Sequence, residues 1–252
     1  MSRFTLLLLL HAFLLVQLPG LAQDKTTTTY EQTWLAYFNQ TRFSNNWGLW
    51  ADFHLRTKDD FVEGLSTGII RLGLTYYVQD QVKATFGYAY VNHFPADNHK
   101  NISQPEHRPW QQLQWHGGSK RLKTMQYLRL EERFRRKILN DDELAEGYNF
   151  NFRIRYNYMI QGAIGNRPFK KGSFSWVLND ELHINFGDQI VYNYFDQNRL
   201  FAGFHYFVTE QAYLQFGYMN VFQQTAEGNK YRNIHALRLF FFHNLDLRKK
   251  KR

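Results

Sequence analysis

The chain has 252 residues and carries 31 Lys and Arg against 22 Asp and Glu, a formal charge of +9, with 18% aromatic residues and no cysteine. The lack of cysteine excludes a disulfide framework and lipid attachment through a thiol. Basic charge with many aromatics can signal nucleic-acid binding, but the amino-terminal segment sends the chain out of the compartment where nucleic acid is met.

In that segment Arg3 supplies a positive start, and Phe4 to Val16 is apolar apart from Thr5 and His11. Pro19 then precedes Gly20-Leu21-Ala22, a small-x-small site for cleavage before Gln23. The apolar run is shorter than the roughly 20 residues of a spanning helix. Residues 1–22 therefore read as a cleavable signal peptide and 23–252 as one domain. No later stretch is apolar for long enough to be a membrane helix, which leaves a closed β-barrel as the way such a chain could cross a bilayer. Its negative mean hydropathy is compatible with that, because only alternate residues of a barrel strand face lipid.

From residue 32 onward the sequence alternates with period two. The predicted strands are 32–43, 47–57, 67–78, 82–93, 108–117, 123–136, 147–161, 173–186, 198–208, 211–222 and 231–244. These are longer than the 5–6 residues usual in soluble sheets and suit the roughly 9–11 that a tilted strand needs to cross a bilayer. In the second, Trp47, Leu49, Ala51, Phe53 and Leu55 oppose Trp50, Asp52, His54 and Arg56. In the third, Ile70, Leu72, Leu74, Tyr76 and Val78 oppose Arg71, Gly73 and Thr75. The seventh is clearest: Tyr148, Phe150, Phe152, Ile154, Tyr156, Tyr158 and Ile160 fall on one face, and Asn149, Asn151, Arg153, Arg155 and Asn157 on the other. A helix would mix these sets and a strand separates them. In the eighth, Phe174, Trp176, Leu178, Leu182, Ile184 and Phe186 oppose Ser175, Asn179, Glu181, His183 and Asn185. In the ninth, Leu200, Ala202, Phe204, Tyr206 and Val208 oppose Arg199, Gly203 and His205.

Turn signals separate the strands, among them Ser44-Asn45-Asn46, Gln79-Asp80-Gln81, Gly117-Gly118-Ser119 and Thr209-Glu210. The fold expected is all-β: a single-domain, antiparallel, up-and-down transmembrane β-barrel of about ten to twelve strands. Connections after strands one, three, five and nine are short, and those after two, four, six, eight and ten are longer, the asymmetry between periplasmic turns and external loops. The last strand then ends in the periplasm and the first begins outside. Bacterial single-chain barrels normally have an even count. The sequence thus leaves open a twelfth strand within Asp24–Thr33 or from a further division of these segments, an N-terminal segment in the lumen, or a true count of ten. Trp34, Trp47, Tyr76, Tyr90, Trp115, Tyr148, Tyr158 and Trp176 lie near segment ends and are expected to form interfacial girdles.

Alternation turns a charge ladder inward: Asp52, Arg56, Arg71, Arg129, Glu131, Arg133, Arg153, Arg155, Glu181, Arg199 and Arg238. If sequence neighbours pair, Arg129, Glu131 and Arg133 lie beside Arg153 and Arg155, and these beside Glu181. The ladder either packs the lumen and holds the register, or lines a positive path for anionic solutes. Glu132 and Asp180 fall on the apolar face and are expected near a membrane interface or at a bulge.

The run Asn179 to Phe222 contains Asp180-Glu181-Leu182, Asp196-Gln197-Asn198-Arg199, Gly203 and Gly217-Tyr218. Upstream lie His107 to Leu113 (HRPWQQL) and Leu128 to Phe134 (LRLEERF). Together they resemble a Gram-negative bacterial family catalogued as domain of unknown function 2490, from about Trp34 to Leu247. The resemblance implies an outer-membrane barrel and no activity, ligand or catalytic residue. The last strand departs from barrels that end in an aromatic: it is followed by Arg248-Lys249-Lys250-Lys251-Arg252.

Enzyme motifs are missing. There is no G-x-S-x-G elbow, HExxH, Cys/His cluster, Walker loop or dinucleotide fingerprint. Ser175 and His183 share a face but stand roughly 27 Å apart at strand rise. His54 with Asp52 is a candidate His–carboxylate pair, and His93, His99, His107 and His116 flank the loop Phe94 to Glu106, where they could meet at the external mouth. No catalytic, cofactor or metal residue is expected. The sequence reads as a non-enzymatic outer-membrane protein for passage or binding of a small solute, or for envelope structure. Its expected partners are outer-membrane lipid, a small anionic solute and, during assembly, the barrel-insertion machinery. Two alternatives stand: a lipid-modifying barrel enzyme, and a soluble periplasmic barrel with its apolar face inward around an apolar ligand.

Overall fold

The computed structural model describes residues 25–96 and 99–248; the signal segment 1–22 and the tail beyond Arg248 lie outside the described residues. The alternating stretches form eleven strands: β1 (Thr26–Arg42), β2 (Trp47–Asp59), β3 (Glu63–Gln79), β4 (Val82–His93), β5 (Gln104–Gly118), β6 (Leu122–Ile138), β7 (Leu144–Ala163), β8 (Phe174–Phe186), β9 (Phe195–Phe207), β10 (Ala212–Gln224) and β11 (Lys230–Asp246). Each pairs with its neighbours in sequence, and β1 pairs with β11 to close the barrel. Closure leaves no unpaired edge.

Closure also answers the parity question. All sequential pairs are antiparallel, and the seam alone is parallel, running in register from Thr26↔Lys230 to Arg42↔Asp246. An odd number of up-and-down strands can close only with one parallel pair. Thr26 to Thr33, within the segment weighed as a twelfth strand or a luminal plug, is the beginning of β1. The connections 43–46, 80–81, 119–121 and 208–211 are short, as expected, but 164–173 lies at the same end and is long. The connection after β2 is only 60–62, not the longer loop expected, because a bulge at Arg56/Thr57 lets β2 and β3 pair on to Asp59↔Glu63.

The apolar face of the strands points outward. Leu49, Phe53, Ile70, Leu72, Leu74, Phe86, Leu128, Ile154, Leu178, Leu200 and Leu237 are all exposed. This is the reverse of a soluble barrel folded around an apolar ligand. Of the aromatics expected in girdles, Trp47, Tyr76, Tyr90, Tyr148, Tyr158 and Trp176 are outward and exposed. Trp34 is the correction: its register with Arg56 and Arg238 turns it inward, where it is buried, and β1 begins earlier than read, which places it mid-strand. Glu132 and Asp180 also depart from expectation. Both face outward within their strands, with no bulge at either, and each is bonded by an amide: Gln111 Nε2 donates to Glu132 at 3.2 Å and Asn198 Nδ2 to Asp180 at 2.7 Å.

One inner row shows how the wall is packed. Trp50 pairs with Gly73, Gly73 with Gly87, and Gly87 with Trp110. With no side chain on the two glycines, the indoles of Trp50 and Trp110 approach to 6.0 Å. A Cβ on Gly87 would meet the Leu72 carbonyl and lie 2.5 Å from Trp110, whereas one on Gly73 would meet Thr85 at 2.9 Å and Trp110 at 3.0 Å. Gly87→Ala should therefore destabilise the barrel by about 1–3 kcal/mol, and Gly73→Ala by less. Urea unfolding in detergent micelles checks the order; equal effects would contradict this packing.

Candidate functional site

Every residue of the expected ladder lies on the inner face, and all but Glu131, fully buried in the wall, and Asp52 line a cavity of about 950 Å³ within the barrel. The lining extends from Phe94 and Pro95 in the β4–β5 connection to His116 and Asn244 near the other rim. The volume is that of a small-molecule pocket rather than of a wide aqueous channel.

One side of the wall is an ion-pair network. Register places Arg129 opposite Arg155 and Glu131 opposite Arg153 on β6 and β7. Arg153 Nε donates to Glu131 at 2.9 Å and Arg155 Nη1 at 2.7 Å, and Arg108 Nη1 is 3.5 Å away. Arg155 then spans to β8, where its Nε donates to Glu181 at 2.9 Å; Glu181 also receives Tyr127 and lies 3.4 Å from Arg199. Arg153 turns its Nη1 to Asp196 at 2.8 Å. A second centre is Glu106, which accepts from Arg108 (2.6 Å), Arg133 (2.7 Å) and Arg135 (3.0 Å) and lies 2.9 Å from His93. On β2 and β3, Asp52 accepts from Arg71 at 3.1 Å.

Several members escaped sequence reasoning. Glu106 and Arg108 lie in the first part of β5, which Pro105 and Pro109 disguise because proline weakens a strand reading. Pro109 cannot donate a ladder bond, and pairing with β6 is interrupted there. Asp196 enters through a bulge: Gln197 pairs with His183 and Phe195 with Ile184, so the extra residue Asp196 is turned inward beside Gln197. The Asp-Gln-Asn-Arg block thus sends Asp196, Gln197 and Arg199 into the lumen and Asn198 to the outer face. The only readable signal was the block itself.

The opposite wall is less polar than expected. Phe38, Trp50, Phe240 and Phe242 face the cavity from β1, β2 and β11, with Phe38 and Phe242 stacked at 4.6 Å. Arg56 and Arg238 lie among these aromatics without a carboxylate: Arg56 packs 3.6 Å from the Trp34 ring centre, and Arg238 is 4.1 Å from Phe240 and 4.6 Å from Phe201. The inner acids Asp52, Glu106, Glu131, Glu181 and Asp196 are outnumbered by inner guanidiniums.

The candidate catalytic pair does form, with His54 Nε2 2.8 Å from Asp52. It sits inside the wall, where Asp52 also receives Trp50 and Arg71. The four histidines do not all meet. His107 is on the outer face among Tyr88, Tyr90 and Tyr148, His93 binds Glu106, and His116 lies at the far rim of β5. Among the described residues no group of three or more His, Asp or Glu is placed to hold a metal ion.

A profile of the family described as Protein of unknown function (DUF2490) matches residues 31–232. No curated protein sequence matches the chain. Among solved structures, a NanC porin in a rhombohedral crystal form is similar at 12% identity and a TM-score of 0.46, covering 80% of this chain and 93% of that one.

Glu131 is the keystone of the network. Replacing it with Gln leaves Arg153 and Arg155 short of buried negative charge, and removing one partner of a buried pair costs about 3–5 kcal/mol. Glu131→Gln should lower stability by that order in urea titrations. Glu131→Gln combined with Arg153→Gln should lose less than the sum of the single losses, and strict additivity would show that the contact contributes nothing.

Proposed function

The chain belongs to the family described as protein of unknown function (DUF2490), and from that premise and the lumen geometry we propose a non-enzymatic outer-membrane barrel whose lumen admits small anionic solutes. The membrane reading rests on the outward apolar face. A strand of 13 residues such as β2, tilted by about 40°, rises roughly 30 Å, the thickness of a hydrocarbon core. Exposed aromatics near both ends of the strands, such as Trp47 with Tyr76 and Tyr90 with Tyr148, suit the two interfaces.

The observation that carries the solute class is the charge imbalance around the cavity. A side-chain-filled structural barrel needs no surplus, since each guanidinium could have its own carboxylate. Here Arg56 and Arg238 have none, Arg129 reaches no closer than 3.9 Å to Glu131, and Lys83 is bonded only to the neutral Gln40. Cationic groups lining a narrow path favour anions over cations. Its size suits solutes of a few heavy atoms across, not folded chains.

The protein should fractionate with outer membranes and change gel mobility on boiling, as closed barrels do. In planar bilayers it should give small conductance steps that favour chloride over potassium. Neutralising Arg56 and Arg238 together should reduce that preference. Recovery in the soluble periplasmic fraction would defeat the membrane reading; silent bilayers and no uptake of any anion into proteoliposomes would defeat the passage reading.

A further inference from the structure

The parallel seam sets a tryptophan in register between two arginines. Trp34 on β1 pairs with Arg56 on β2 to one side and with Arg238 on β11 to the other. All three face the cavity. Arg199 reaches over from β9 to 5.0 Å from the same indole. Two guanidiniums, of Arg56 and Arg199, therefore lie over the Trp34 ring, and that of Arg238, its register partner on the other side, lies over Phe240 and Phe201. Only Arg199 has a carboxylate, Glu181 at 3.4 Å. The Nε atoms of Arg56 and Arg238 are both buried without a hydrogen-bond partner. Arg199, Arg108, Arg155 and Arg71 all act on Arg56 as like charges. Glu181 pairs with Arg199 and acts on Arg238 at longer range, but neither Arg56 nor Arg238 has a bonded carboxylate of its own.

The surface beside this cluster is aromatic. Phe240 and Phe242 follow Arg238 on the inner face of β11, and Phe38 follows Trp34 on β1. Phe38 stacks on Phe242 and meets Phe240 at 5.5 Å and Trp50 at 6.3 Å, edge to face. Water against these rings is poorly bonded, and a flat apolar group would displace it favourably.

We propose that this corner of the lumen is a binding site for a carboxylate attached to a flat, apolar body. The proposal rests on the anion-admitting reading and narrows it. The carboxylate accepts from Arg56 and Arg238, with Arg199 as the third cation, and the body lies along Phe38, Phe240 and Phe242. An arginine held flat on an indole presents its N–H edge sideways, the geometry for a charge-assisted bond to a planar carboxylate. Hydrated inorganic anions satisfy only the cations, and neutral aromatics only the rings, so each gains half of the interaction.

The test uses the purified full-length barrel in lipid nanodiscs, titrated calorimetrically with benzoate, acetate, inorganic phosphate and benzamide. Benzoate should bind about tenfold or more tightly than acetate, phosphate or benzamide, the factor expected from losing one charged hydrogen bond or one buried ring. Arg56→Gln/Arg238→Gln should weaken benzoate about tenfold while leaving benzamide unchanged. Phe38→Leu, which keeps the wall filled, should weaken benzoate and leave acetate unchanged. Retained gel heat-modifiability establishes that each variant is folded, and an unfolded double variant is replaced by Arg56→Gln alone, with the same expectation at smaller size. Benzoate binding no tighter than acetate or benzamide, or unaltered by the arginine substitutions, overturns the proposal. If chloride preference in bilayers persists in that case, the anion-admitting reading survives and only its narrowing fails.

Discussion

Closure through a parallel seam is the constraint on which the rest of the barrel depends. Eleven strands joined by hairpins alternate in direction, so the first and the last run the same way and must pair in parallel. That pairing sets the register of β1 against β11 and β2 at once. It therefore decides that Trp34, rather than a residue one place along, stands between two arginines, since a one-residue slip of β1 would turn Trp34 to the other face. It also puts the start of β1 and the end of β11 at opposite ends of the barrel.

Within the closed wall, charge is divided unevenly, and the division gives the lumen two sides. From β5 to β9 carboxylates sit between guanidiniums: Glu106 and Glu131 each gather several, and Glu181 and Asp196 extend the chain of pairs. Such a network stiffens the register because Glu106, Glu131, Glu181, Arg153 and Arg155 each have more than one partner, so the strands they join do not slip singly. Buried ion pairs add little net stability compared with apolar packing, so their value lies in fixing one arrangement. On the seam side, rings replace carboxylates as the partners of Arg56 and Arg238. A ring takes no hydrogen bond from the guanidinium edge as a carboxylate would, and the Nε atoms of Arg56 and Arg238 are without a partner there.

Much of the architecture was legible because period-two alternation is local. The two faces of 147–161 and the place of Arg153, Arg155 and Glu181 on the polar one follow from the residues alone, as does the pairing of Glu131 beside Arg153 once hairpin neighbours are assumed; that the polar face is the inner one is seen only in the closed barrel. What was illegible depends on breaks in that period or on contacts across the barrel. The prolines at 105 and 109 hid the first part of β5 and with it Glu106, the acceptor for three arginines. The bulge at Asp196 cannot be read from alternation, which would place Asp196 on the outer face beside Asn198. The aromatic inner wall was obscured by β1, whose inner residues Trp34, Ala36 and Phe38 carry no charge to mark the lumen side.

The two family-like blocks of the second half gain a physical meaning from their pairing. Glu181 lies directly opposite Arg199, and Asp180 and Asn198 are diagonal neighbours on the other face of the same two strands. One strand pair thus carries an ion pair toward the lumen and an amide–carboxylate bond on the outside. Two consecutive polar residues on each strand interrupt the outer apolar face, and an acid without a partner among apolar neighbours is costly. Asn198 removes that cost by donating to Asp180. The bulge immediately before it inserts one residue and so permits Asp196 and Gln197 both to face the lumen while Asn198 still reaches outward. The block is therefore a device for changing the strand's period at one place, and the added inward carboxylate is what anchors Arg153 on its second side.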